Sequence, residues 1–114
     1  MTIRRAIPLL PASDLSGARE FYSDFLGFEV AMDEPGFMQF RSPSHPSVQI
    51  IVGNERGVDQ ANVTVDVEDV DALHAEAVRR GLEIVYSLTD EPWGIRRFFV
   101  RAPNGTVVNV ASQR

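Results

Sequence analysis

The chain has 114 residues, of which 44% are hydrophobic and 24% are charged, and its formal net charge is −5. This length and composition are typical of one ordinary globular domain. There is no cysteine, which excludes disulfide bonds, thiolate metal ligands and a cysteine nucleophile. The negative charge argues against nucleic-acid binding, because phosphate contacts depend on clustered Lys and Arg side chains.

No apolar stretch of the sequence is long enough to span a membrane. The N-terminal residues MTIRRAIPLL are too short in their apolar part for a signal peptide. A chain without cysteine also fits a reducing compartment. We therefore expect a cytoplasmic protein that does not contact a membrane.

The first half of the chain predicts a strand, a helix and three short strands. Ser13 and Asp14 are good N-cap residues, and the apolar residues that follow them recur at helical spacing. We expect Phe21, Tyr22 and Phe25 to pack this helix on a sheet. The expected ranges are a strand over 3–10, a helix over 14–27, and strands over 28–32, 36–41 and 48–52.

The second half repeats this order. Residues 61–67 alternate in polarity, with valines on one face and polar residues on the other. Asp69 is placed to cap the second helix, and Gly81 to end it. The expected ranges are a strand over 61–67, a helix over 69–81, and strands over 82–86, 95–101 and 106–111.

Each half thus reads as a βαβββ module, and the two helices are offset by roughly 55 residues, a period that indicates an internal duplication. The predicted class is α+β. Module one covers about 1–53, a polar linker about 54–60 and module two about 61–114. One module alone leaves a face of its sheet uncovered, so we expect the two modules to pair and to leave a groove between them.

Three stretches carry a resemblance to a known family: IPLLPASDLSGAREFYSDFLGFEV, VTVDVEDVDALHAEAVRRGLEI and EPWGIRRFFVRAPNGTVVNV. Together they cover most of the chain, and they resemble the vicinal oxygen chelate superfamily. That superfamily includes glyoxalase I, extradiol dioxygenases, fosfomycin-modifying enzymes and bleomycin-resistance proteins. The resemblance implies two βαβββ modules forming a cupped mixed β-sheet, and a homodimer.

Enzymes of this family hold a divalent metal inside the cup, with ligands on the first and last strands of each module. The resemblance carries these places onto Ile7, Gln49, Asn62 and Asn109. A catalytic ion needs about three imidazole or carboxylate ligands. One aliphatic and three neutral amide side chains do not supply them, and His45 and His74 fall in a loop and on a helix. We therefore expect no metal and no cofactor.

The three amides have two interpretations. Strand alternation puts Asn62, Gln49 and Asn109 on the face opposite neighbouring valines, where they would face the cup if the valines face the helices. Asn109 can then contact a ligand, or it can serve the sheet alone. Phe37 shares a strand face with Gln39 and is a further candidate for the groove.

Trp93 lies in a loop rich in Pro and Gly, where binding residues concentrate. It either stacks on a ligand or covers an edge of the sheet. Glu91 belongs to the acidic pair Asp90–Glu91, which with the net charge would attract a cation. Arg97, on the strand that follows, is a candidate to reach the groove.

These residues favour a metal-free binding protein, nearest to the bleomycin-resistance proteins, that sequesters a bulky cationic ligand in a groove of a homodimer. Two alternatives remain open. One is an enzyme of the same superfamily with an atypical or absent metal site, and the other is an accessory module whose main role is dimerisation. A bleomycin-type antibiotic is one candidate for the ligand.

Overall fold

A computed structural model describes residues 2–12, 14–53 and 61–113, and over these ranges the chain forms eight strands and two helices. The chain separates into two compact units. The N-terminal unit is Ile7–Gln60, and the C-terminal unit combines Met1–Ala6 with Ala61–Arg114. The predicted α+β class, with strand–helix–three-strand order in each half, is confirmed. The predicted linker, 54–60, lies outside the described residues, as does Ser13.

In the N-terminal unit, the strands follow the spatial order β2-β3-β4-β1. β1 pairs with β4 in parallel, and the other neighbours are antiparallel. Met38, Phe40 and Val52 are buried together with Ala18 from the helical segment, so one face of this sheet forms the unit's core. The strands are β1 (Ile3–Pro11), β2 (Glu29–Glu34), β3 (Phe37–Arg41) and β4 (Gln49–Gly53).

The first helix, α1 (Arg19–Phe25), differs from its prediction in start and geometry. It begins about five residues late and is a π-helix, as in the bond from the Leu26 N–H to the Phe21 carbonyl, five residues back. The wider turn rotates side chains away from their α-helical positions. Tyr22 still packs on Phe40, with ring centroids 5.3 Å apart, but Phe21 and Phe25 are 51% and 73% exposed. The expectation that these two residues pack on the sheet is wrong.

In the C-terminal unit, β5 and β8 are parallel neighbours, and the order continues antiparallel as β5-β8-β7-β6. The first residues of the chain belong here because Arg5 pairs with Asp66 and the Thr2 carbonyl accepts from the Glu68 N–H. The elements are β5 (Val63–Val67), α2 (Val70–Arg79), β6 (Ile84–Asp90), β7 (Ile95–Arg101) and β8 (Val107–Gln113).

The helix α2 covers one face of this sheet. As predicted, Asp69 caps it, accepting a hydrogen bond from the Ala72 N–H at 3.1 Å. Val70 and Ala77 pack into a core with Val67, Phe98 and Val110, and the His74 ring meets the Phe98 ring edge-on. No helix among residues 2–12, 14–53 and 61–113 is long and apolar enough to cross a membrane.

Ser112 ties this helix to the sheet. Its hydroxyl donates to the Val67 carbonyl at 2.8 Å and accepts from the Val70 N–H at 3.1 Å, and the residue is buried. One side chain thereby satisfies two backbone groups at the junction between β5 and α2.

Ser112→Ala should lower the free energy of unfolding by about 1–3 kcal/mol, because it leaves buried backbone groups without a partner. Urea unfolding followed by circular dichroism measures this loss. Ser87→Ala, on an exposed position of β6, is the matched control and should change stability by less than about 0.5 kcal/mol. Equal losses in the two variants would show that Ser112 does not hold the junction.

Candidate functional site

The face of the C-terminal sheet opposite α2 carries the polar residues of the central strands. Valines of β5 and β8 pack towards α2, so the residues between them point the other way. Cross-strand register arranges this second face, which we call the polar face, in two rows across β5, β8 and β7. The first row holds Thr64, Asn109 and Phe99, and the second holds Asp66, Ala111 and Arg97.

Asn109 lies at the centre of the first row and is buried, with 7% of its surface exposed. Its Nδ2 donates to the Thr64 hydroxyl at 3.1 Å, whereas its Oδ1 is buried without a hydrogen-bond partner. The sheet therefore provides a partner for the amide nitrogen of Asn109 but not for its oxygen. Contact between Asn109 and a ligand stays a prediction.

Arg97 lies at the end of the second row among three aromatic rings. Its guanidinium carbon is 5.4 Å from the ring centroids of Tyr86 and Trp93 and 5.1 Å from that of Phe99. These distances are within the range of cation–π attraction. Phe99 is the cross-strand neighbour of Asn109, so Trp93, Arg97, Phe99 and the amide lie in sequence along this part of the unit.

Glu91 fixes the orientation of Arg97. Its Oε2 accepts from the Arg97 Nε at 2.6 Å and from the Tyr86 hydroxyl at 3.0 Å. The two ion-paired side chains are only 8% and 15% exposed, which protects the pair from solvent screening. The pairing holds the guanidinium beneath the β6–β7 turn.

That turn presents Trp93, which is 63% exposed. The Glu91 N–H bonds the Ile95 carbonyl and the Gly94 N–H bonds the Glu91 carbonyl, which closes a tight loop. Gly94 has a φ of +90°, a conformation that favours glycine. Trp93 thus offers one large ring surface to solvent beside the Arg97 guanidinium.

The other candidate amides are occupied by local bonds. Asn62 is exposed, and its Oδ1 accepts from the Val107 N–H at 2.8 Å, which joins the entry to β5 with the start of β8. In the N-terminal unit, Gln49 Oε1 accepts from Gln39 Nε2 at 2.5 Å, and Gln49 Nε2 donates to the Pro46 carbonyl at 2.7 Å.

Phe37 also belongs to the N-terminal unit and is half-buried. It shares a face of β3 with Gln39, whereas Met38 and Phe40 of the same strand lie in the core. Five of the seven candidate residues lie in the C-terminal unit, and the structure brings four of them together there: Glu91, Trp93, Arg97 and Asn109.

The four family ligand places do not fit a divalent ion. Ile7 has no donor atom and is buried, and the three amides are neutral oxygen donors of which Asn62 and Gln49 already accept protein hydrogen bonds. Within the part of the chain that the structure describes, no group of three or more His, Cys, Asp or Glu side chains is arranged to hold a metal.

The family itself is decided by a match along nearly the whole chain. The family model of the Glyoxalase/Bleomycin resistance protein/Dioxygenase superfamily matches residues 6–110. The chain belongs to this superfamily. Among curated proteins, none is similar enough in sequence to match it.

Several solved structures share the fold of this chain. A superfamily member from Vibrio splendidus 12B01 aligns with a TM-score of 0.77 and 21% identity, over 98% of this chain and 100% of that chain. Methylmalonyl-CoA epimerase from Mycobacterium tuberculosis aligns with a TM-score of 0.68 and 19% identity, over 98% and 87%. The Mn(II)-bound glyoxalase from Novosphingobium aromaticivorans gives 0.69 and 19%, over 96% and 38%.

Sequence reasoning missed three residues of the polar face: Tyr86, Phe99 and Asp66. Strand alternation in the sequence places Asp66 on the same face as Asn62 and Thr64, so the sequence contained a signal for including Asp66 among the candidate residues. Tyr86 and Phe99 gave no such signal, because an aromatic residue in a strand is ordinarily part of the core. Their role depends on Arg97, whose contacts follow from the hairpin register.

Glu91→Gln should lower the free energy of unfolding by about 1–3 kcal/mol, because it removes the charge from a buried pair. Urea unfolding measures the loss, and the emission of Trp93 should shift as Arg97 moves. Glu83→Gln breaks an ion pair with Arg101 whose side chains are 62% and 42% exposed, so it should cost less than about 1 kcal/mol. Indistinguishable losses would contradict the anchoring role of Glu91.

Proposed function

We propose that this superfamily member is a metal-free binding protein that holds a flat organic molecule on the polar face of its C-terminal unit. The observation that carries the proposal is the Arg97 guanidinium, which lies 5.1–5.4 Å from three aromatic ring centroids while one of those rings, Trp93, stays largely exposed. An exposed tryptophan beside a fixed cation is a stacking surface for a planar ligand.

The stacking surface formed by Trp93 and Arg97 is ordered before a ligand binds. Glu91 and the Tyr86 hydroxyl hold Arg97, and the closed β6–β7 turn holds Trp93. A binding surface that is already ordered loses little side-chain entropy on binding, which favours affinity. Sequestration of a ligand requires affinity alone and no reactive group.

The acidic pair Asp90–Glu91, which the sequence predicts to attract a cation, is paired with arginines in the structure. Glu91 pairs with Arg97. Asp90 likewise contacts Arg96, whose hydrogen bond with Asp71 raises the pKa of the guanidinium. These acids are compensated locally, so a preference for a cationic or bleomycin-type ligand rests on the net charge of −5.

Trp93→Ala should weaken binding of a flat ligand by about threefold to tenfold, the usual value of one aromatic stacking contact. Isothermal calorimetry with naphthalene-2-carboxamide, and with bleomycin in the presence and absence of copper, measures the change. Phe25→Ala removes an aromatic ring with 73% exposure from α1 and is the matched control, with no change expected. Binding that is equally strong in both variants would remove Trp93 from the site.

We also propose that the protein acts as a homodimer without bound metal. Native mass spectrometry of protein dialysed against a weak chelator should give the mass of a dimer with no metal increment. Retention of zinc, nickel, manganese or iron near one per chain would instead support a superfamily enzyme with unusual ligands. A monomer mass at micromolar concentration would contradict the dimer.

A further inference from the structure

Two buried oxygen atoms on the polar face have no hydrogen-bond partner, and they belong to Asp66 and Asn109. Both residues are more than nine-tenths buried, at 6% and 7% exposure. A buried acceptor without a donor lowers the stability of the folded protein. Ser112, the third buried polar residue among the described residues, makes two hydrogen bonds, so the two oxygen atoms without a partner need an explanation.

Asp66 and Asn109 lie on neighbouring strands and on the same face. Thr64 is the register partner of Asn109, and Asp66 follows Thr64 by two residues on β5. Their side chains are therefore diagonal neighbours on one face of the sheet. Asp66 Oδ2 is already bound by the Arg5 Nε at 3.0 Å, which leaves only its Oδ1.

The second row of the polar face connects Asp66 with the stacking surface formed by Trp93 and Arg97. Asp66, Ala111 and Arg97 are consecutive register partners across three strands about 4.8 Å apart, so Asp66 and Arg97 are separated by about 10 Å. Ala111, the shortest side chain of the row, lies between them. A bicyclic aromatic ring with one substituent is long enough to extend from Trp93 and Arg97 towards Asp66. Because Ala111 and Asp66 are only 5% and 6% exposed, the side chains that cover this row must move apart for the ring to enter.

The two unpartnered oxygen atoms of Asp66 and Asn109 determine which ligand substituent can bind beside them. A carboxylate oxygen and an amide oxygen both accept hydrogen bonds, and neither can donate one. A group with two N–H donors satisfies both, whereas a carboxylate or phosphate on the ligand would face two acceptors. Arg5 compensates the charge of Asp66, so neutral donors such as a primary amide are accepted as well as cationic ones.

We propose that Asp66 and Asn109 form a subsite that binds a hydrogen-bond-donating nitrogen group, an amidine or a primary amide, of the ligand that stacks at Trp93. The subsite rests on the proposed function, because it needs a ligand on the polar face. It also assigns any preference for a cation to Asp66 rather than to the net charge of the chain.

Three probes with the same ring test the subsite: naphthalene-2-carboxamidine, naphthalene-2-carboxamide and naphthalene-2-carboxylate. Calorimetry on the full chain should rank them in that order, with the carboxylate at least about tenfold weaker than the amidine. Equal affinity for the three probes, with binding still weakened by Trp93→Ala, would overturn the subsite and leave the proposed function intact. No binding of any probe would overturn both for this class of ring.

Variants of the Arg5–Asp66 ion pair distinguish a loss of the subsite from a general loss of structure. Asp66→Asn should reduce the preference for the amidine over the carboxylate by about tenfold. Arg5→Gln should increase the same preference, because Asp66 then lacks its cationic partner. A general loss of structure would weaken all probes in both variants, and it cannot move the preference in opposite directions.

Glu76→Gln is the matched control for charge. It removes one carboxylate from α2, which covers the other face of the sheet, and Glu76 pairs there with Arg79 and Arg80. The ranking of the probes should stay as in the unaltered protein. An equal loss of preference in Glu76→Gln and Asp66→Asn would mean that net charge, and not the subsite, discriminates among the probes.

Discussion

The parallel pairing of β5 with β8 is the constraint on which the C-terminal unit depends. Val63 faces Val108 and Thr64 faces Asn109, so each strand sends its valines towards α2 and its polar residues to the other face. A shift of one residue would bury the polar residues under the helix and expose the valines, so the core strongly specifies this register. The positions of Asn109 and Asp66 therefore follow from the packing of the core, and the polar face does not require further stabilising contacts of its own in order to form.

Arginine–carboxylate pairs organise what surrounds that face. Arg97 has the most buried environment, and its planar guanidinium both pairs with Glu91 and stacks among rings, which a lysine could not do equally well. Arg5 likewise holds one oxygen of Asp66 and thereby attaches the first residues of the chain to the C-terminal unit. The pairs compensate the charges beside this face, so the proposed ligand would be recognised by ring surface and hydrogen-bond direction more than by long-range attraction.

The order of elements could be read from the sequence because each half has clear caps, glycine stops and strand alternation. The sequence does not predict side-chain roles that depend on how far a helix is rotated about its axis. The π-helical turns expose Phe21 and Phe25, although their spacing fits an amphipathic α-helix. Asn62 shares its strand face with Asp66, but at the strand entry it bonds to the backbone of Val107. The pairing of Glu91 with Arg97 and Tyr86 depends on the hairpin register, which has two irregularities and no sequence signal.

The neutrality of Asn109 has a structural meaning that does not depend on the ligand. A carboxylate in this buried place would need a cation or several donors, because burial of an unpaired charge is far more costly than burial of an amide. The Thr64 hydroxyl is a sufficient partner for one end of an amide, and the sheet can therefore fold without an ion. The other end of the amide remains unsatisfied beside Asp66 Oδ1. Asn109 thus leaves one buried acceptor unsatisfied, and this is the atom that the proposed subsite uses.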